Sequence, residues 1–145
     1  MKPPLDHHAI ALRVPHAGAM CLLDAVTAWD ASTIECRAAA PRADHPLARD
    51  GVLPAIAAIE YAAQASAVHG ALLQGGVARA GLLAKLTDIE LHAASIALDG
   101  AAPVEVRAQR LSHSDAGCLY AFEVGCAGAP VASGRLLVAF AKAAP

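Results

Sequence analysis

Between Pro54 and about Leu73 the apolar residues Ile56, Ile59, Ala63 and Ala67 recur every three or four positions, the spacing of one face of a helix. Pro54 suits the first helical turn, where a missing N–H costs nothing, and Gly75-Gly76 supplies a stop. Alanines and a serine (Ala57, Ala58, Ala62, Ala63, Ala65, Ser66, Ala67) would let other surfaces approach this helix closely on several sides. Downstream the pattern turns strand-like. Leu82 to Leu91 is one candidate strand, interrupted by Asp88 and Glu90, and Val104 to Leu111 alternates with period two. Cys118 to Val124 follows a Ser/Asp/Gly turn, residues 125–130 read as a hairpin connection, and Val131 to Phe140 as a last strand. Upstream, Thr33 to Ala40 reads as a strand, and residues 41–51, carrying Pro, Asp, His and Gly, as a loop. Pro15 to Asp24 is a turn leading into the apolar stretch Met20 to Leu23, and residues 1–14 read as a loosely held arm. One helix followed by a run of antiparallel strands predicts an α+β fold, the sheet wrapped around the helix, in a single domain over residues 1–145.

Composition narrows the partners. A chain of 145 residues can bury a real core. Its hydrophobic fraction is 57%, much of it alanine, with only 3% aromatic, so the core is expected to be built from small and aliphatic side chains. A net charge of -2 gives no argument for nucleic-acid binding. No apolar run reaches the roughly 18 residues of a membrane span, and the first residues lack the charged-then-apolar order of a signal peptide. The expected location is the cytoplasm. Cys21, Cys36, Cys118 and Cys126 form no CxxC pair, so they read as reduced, buried hydrophobes and not as a zinc site.

The chemistry gathers between His45 and Gln64. His45 sits in the Pro/Asp/Gly-rich loop and Glu60 in the apolar helix that follows. A carboxyl on such a helix is costly without compensation, so Glu60 is the residue that most needs a reason. Gln64 lies one turn on, on the same face, and could orient that carboxyl; an exposed polar edge is the equal alternative. Tyr61 reads as rim or core. A base titrating near neutrality and an acid on facing groups can eliminate water. The base takes the proton α to a carbonyl and the acid protonates the leaving hydroxyl. A helix start at Leu53-Pro54-Ala55 would point N–H groups at a thioester oxygen. His16 reads as a turn residue bonded to backbone, and His69 as a surface or helix-end residue. None of the histidines shows metal-ligand spacing, and GxSxG, Walker and GxGxxG motifs are missing, so neither metal nor organic cofactor is expected.

Pro15-His16-Ala17-Gly18-Ala19-Met20-Cys21-Leu22-Leu23-Asp24-Ala25-Val26 resembles the N-terminal segment of the FabZ-type 3-hydroxyacyl-[acyl-carrier-protein] dehydratases. His45-Pro46, Leu53-Pro54 and Glu60-x-x-x-Gln64 resemble that family's active-site stretch, and the wording of both regions is closer still to its ApeP-like branch, associated with aryl polyene biosynthesis. The resemblance implies a hotdog fold and a homodimer, or an assembly of dimers or with another hotdog subunit, whose active-site His and acid come from opposite subunits. It implies an acyl carrier protein as the partner that delivers the thioester. Carried over by position, it makes His45 the base, Glu60 the acid and Gln64 their support. Backbone N–H groups near Ala55, beside Pro54, would bind the thioester carbonyl, and His16 would be structural or line the site. The chain departs from the family pattern at Pro46-Leu47-Ala48, at Ala55 in place of glycine, and in a His-to-Glu spacing one residue longer. Arg42, Arg49 and Arg79 would suit an acidic carrier protein as a basic patch, with scattered solvated arginines as the alternative. Two rivals share the fold: a thioesterase using the helix carboxylate, and a non-catalytic acyl-binding partner of an active hotdog chain.

Overall fold

The computed structural model describes Lys2 and residues 4–13, 20–75 and 81–140. His16, Gly76 and Arg79 lie outside these residues. The elements in chain order are β1 (Leu5–Asp6), α1 (His7–Ala11), β2 (Ala25–Trp29), β3 (Thr33–Ala38), β4 (Leu53–Pro54), α2 (Ala58–Leu73), β5 (Gly81–Leu91), β6 (Ser95–Ile96), β7 (Val104–Ser114), β8 (Gly117–Cys126) and β9 (Ala129–Phe140). Seven strands form one antiparallel sheet in the order β1-β2-β3-β7-β8-β9-β5. The long helix α2 packs against β3, β7, β8 and β9.

Period-two alternation decides which face of the sheet meets the helix. Ile34, Cys36 and Ala38 of β3, Val104, Val106 and Ala108 of β7, and Cys118, Tyr120, Phe122 and Val124 of β8 are buried. Glu35, Arg37, Glu105 and Arg107 alternate with them on the exposed face. The two tyrosines Tyr61 and Tyr120 are among the largest fully buried side chains, so the core is less purely aliphatic than composition suggests. The four cysteines are free, and Cys21, Cys36 and Cys118 are buried as expected of small hydrophobes.

The helix buries a side only partly shared with the one its spacing suggests. Ala58, Ile59, Tyr61, Ala62, Ala65, Val68 and His69 face the core, whereas Ile56 is 54% exposed and Ala63 and Ala67 are half-buried. With apolar residues on every side, the sequence does not say which stripe the sheet will cover. Pro54 stands just outside the helix as its extended N-cap, paired with β6, and the first turn, Ala55–Ala57, is a tight 3-10 turn. At the other end Gly75 adopts a positive φ of 79°, the left-handed geometry of a helix stop.

Three further elements depart from the sequence reading. Residues 5–11, expected in a loose arm, form β1 and α1. The side chain of Asp6 caps α1 by accepting from the Ala9 N–H at 2.9 Å, and Ile10 is fully buried. Ala25–Trp29 is a strand with no counterpart in the reading, and the pair β4–β6 is another. Within β5, the register slips between Thr87 and Glu90, where Asp88 takes a φ of 54°, so the polar interruption is a bulge inside one continuous strand.

Candidate active site

The loop of residues 39–52 is tied near its start to Asp99 and closed near its end by a turn of its own. Asp99 accepts from the Ala43 N–H at 3.1 Å and returns its own N–H to the Pro41 carbonyl at 2.7 Å. Arg49 and Val52 exchange two backbone hydrogen bonds around Asp50-Gly51, both in left-handed conformations, an Asp-Gly hairpin turn. The Arg49 guanidinium folds back on the Pro46 and Ala48 carbonyls at 2.9 and 2.7 Å. This hydrogen-bonded loop presents His45 to the start of α2.

The imidazole of His45 is half-buried and bonded at both nitrogens. The Leu47 N–H donates to Nδ1 at 3.1 Å, and Nε2 lies 2.9 Å from the hydroxyl of Tyr61. Because Nδ1 accepts, the hydrogen of the neutral ring belongs on Nε2, which donates to the Tyr61 oxygen. Burial holds His45 below its ordinary value, with Asp44 pulling weakly the other way. Tyr61 is 1% exposed, and burial pushes its phenol up to about 12, with Asp24 and Cys126 adding to the effect. Tyr61, left open by the sequence as rim or core, is core and touches the candidate base. Its adjacency to Glu60 in sequence was visible; its bond to a loop 16 residues upstream was not.

Glu60 lies in the first turn of α2 and is half-buried. Gln64 is fully buried one turn further on. Its amide N–H donates to Glu60 Oε1 at 3.1 Å and to the Met20 carbonyl at 2.6 Å, while its oxygen accepts from the Leu22 N–H at 2.8 Å. Gln64 therefore ties the carboxyl to the chain segment at 20–22. One chain places His45 on the buried Tyr61 and Glu60 on the buried Gln64. The Ala55 N–H, expected to hold a thioester oxygen, donates to the Ala94 carbonyl at 3.1 Å. The helix start carries no side-chain cap. Among the described residues no cluster of three or more His, Cys, Asp or Glu is placed to hold a metal ion, and no helix is long and apolar enough to cross a membrane.

A single long helix held against a large antiparallel sheet, with an acidic residue in its first turn and a histidine on the loop before it, defines a hotdog-fold protein. The chain belongs to the ApeP-like family, described as ApeP dehydratase, which matches residues 8–144. Among solved structures, the dehydratase heterocomplex ApeI:P from Xenorhabdus doucetiae superposes with a TM-score of 0.78 at 21% identity, over 95% of this chain and 92% of that one. Zebra fish thioesterase superfamily member 2 gives 0.67 at 14% identity over 93% of each chain. A hypothetical thioesterase from Streptococcus pneumoniae, solved with coenzyme A, gives 0.59 at 10% identity, over 83% of this chain and 87% of that one. At these identities the likeness is one of fold. No curated protein sequence matches the chain.

Proposed function

We propose that the protein dehydrates a (3R)-3-hydroxyacyl thioester carried on an acyl carrier protein to the trans-2-enoyl thioester, with no metal or organic cofactor. His45 takes the α-proton, the carbon–oxygen bond at the β-carbon breaks, and Glu60 protonates the departing hydroxyl as water. Solvent then resets both groups. The observation that carries this reading is the setting of His45: half-buried, held by burial below the ordinary histidine value, and hydrogen-bonded to the Leu47 N–H and the Tyr61 hydroxyl on the loop that precedes the helix of Glu60. With Ala55 engaged, the oxyanion donor falls to Ile56, the next N–H of the uncapped helix start, where the helix dipole adds to it. His16 and Pro54 would line the approach, and Gln64 would hold the Glu60 carboxyl.

As the family resemblance implies, the two roles would be shared between two chains, His45 of one acting with Glu60 of the other. The edge strand β5 offers the joint. All of its residues except Thr87 and Ile89 are exposed, including Leu82, Leu83 and Leu86. A second hotdog chain, either a copy or a related subunit, would pair there. The occupied Ala55 N–H also favours a second reading, in which this chain is the silent member of such a pair.

Enoyl-thioester absorbance after mixing with a 3-hydroxyacyl carrier protein tests the assignment. His45→Ala and Glu60→Gln are each expected to lower kcat at least about 100-fold while the chain stays folded. A wild-type rate from either variant overturns it. Release of free thiol moves the assignment to a thioesterase, and activity only in the presence of a second hotdog chain moves it to the partner role. Because burial lowers the pKa of His45, the acid limb of kcat/KM is expected below pH 6.5, the ordinary histidine value.

A further inference from the structure

We infer that Asp99 is a positioning residue for the reaction, fixing the loop of His45 at a set distance from the start of α2; this rests on the reading of His45 as the base. Residues 94–99 hold both parts. At one end of this segment the Ala94 carbonyl accepts from the Ala55 N–H at 3.1 Å, and Ser95 and Ile96 pair with Pro54 and Leu53. These bonds seat the start of α2. At the other end the Asp99 N–H donates to the Pro41 carbonyl at 2.7 Å, and its Oδ1 accepts from the Ala43 N–H at 3.1 Å. Those two bonds seat the chain just ahead of His45, whose own N–H closes a turn on the Arg42 carbonyl at 2.9 Å. Between the two anchors the segment is rooted in the core, with Ile96 buried and Leu98 packed against the buried cluster. The base and the helix start therefore hang from one short stretch, although Asp99 lies 56 positions beyond Ala43.

The distance matters because two groups must address neighbouring atoms of one substrate. His45 would take the hydrogen on the α-carbon, and the N–H at the start of α2 would hold the thioester oxygen on the next carbon. A displacement of about 1 Å between such groups can cost on the order of 100-fold in rate. Asp99 suits the task in two ways. Its φ is 54°, a left-handed conformation that aspartate tolerates better than most residues with a side chain. From that conformation its backbone and its carboxylate reach the loop on both sides of Arg42. A backbone N–H bonds a carboxylate more strongly than a neutral acceptor, so the side chain adds a grip to the single main-chain bond. Glycine at this position would keep the left-handed backbone and lose only the carboxylate.

Asp99→Gly and Asp99→Asn separate holding the loop from folding the chain. Enoyl formation is measured on the full chain, with a partner subunit present if turnover needs one, and hydrogen exchange is followed at the Ala43 amide. Asp99→Gly is expected to lower kcat roughly 10- to 100-fold with KM little changed, and to speed exchange at Ala43. Asp99→Asn keeps an acceptor oxygen and is expected to restore most of the rate and the slow exchange. A wild-type Ala43 amide that exchanges like an open loop overturns the inference without any variant. So does Asp99→Asn as slow as Asp99→Gly, or Asp99→Gly with a lowered Tm and a wild-type kcat, which marks a structural role alone. Full activity in His45→Ala removes the base, and the role of Asp99 with it. A slow His45→Ala beside a fully active Asp99→Gly removes the role of Asp99 and leaves the base standing.

Discussion

A histidine with almost no exposed surface must find partners for both ring nitrogens, and His69 finds them far away in sequence. Its Nε2 donates to the backbone carbonyl of Asp30 at 2.8 Å, and its Nδ1 accepts from the Tyr120 hydroxyl at 2.7 Å. The helix is thereby bolted to the β2–β3 turn and to the middle of β8. Asp30 in turn builds that turn by accepting from the Ser32 and Thr33 N–H groups, which holds its carboxyl down to about 2. Tyr120→Phe would leave Nδ1 of His69 buried without a donor, so it is expected to cost about 1–3 kcal/mol, measured by denaturant unfolding. Burial lowers the pKa of both His69 and His45. The unfolded chain then binds more protons than the folded one below the ordinary histidine value. Stability is therefore full above about pH 6.5 and lost as the pH falls toward the depressed folded values. Thermal unfolding followed from pH 7.5 to 5 should show Tm dropping, and His69→Asn should flatten the drop while lowering the plateau. The sequence placed His69 at a surface because neither partner lies near it in the chain. It raised Glu60 and Gln64 because their spacing is local, and it left the buried role of Gln64 open because Met20 and Leu22 lie more than forty residues away.

Elements with strict alternation were legible: β3, β7 and β8 fall within a few residues of their expected bounds, since burial of one face imposes period two. β2 was not, because Ala25–Trp29 is short and its neighbours Leu22 and Leu23 blur the alternation. The turn between β8 and β9 is tighter than the connection expected over residues 125–130. Ala127-Gly128 alone turns the chain, with φ of 55° and 75°. A left-handed alanine is strained there by about 1–2 kcal/mol, more than the roughly 0.4–1 kcal/mol that a glycine's extra freedom costs through the unfolded chain, so Ala127→Gly is expected to raise the Tm. Gly134 shows the reverse constraint. A methyl group at that position would run into Ile89 Cδ1 and lie 3.2 Å from the Ile89 Cα and the Thr87 carbonyl, against the bulge of β5. Gly134→Ala is expected to destabilise the β5–β9 pairing, with hydrogen exchange in β5 accelerating first.

Across the whole molecule, the long apolar edge of β5 is a surface that a lone soluble chain rarely leaves open. Leu82→Asp and Leu86→Asp together are expected to shift the protein toward monomer in light scattering and to remove activity, with the far-ultraviolet signal retained. The resemblance of two short motifs to a dehydratase family implied the hotdog architecture, but which helix face the sheet covers depends on contacts no local pattern encodes. The pairing of β3 with β7 has a further consequence. Ile34 lies beside Ala108, whereas β7, β8 and β9 are joined by short turns. Closing the longer loop carries the greater entropic penalty, so the meander is expected to form before β3 docks on it, and the loop of His45, which lies inside that gap, is expected to be seated late in folding.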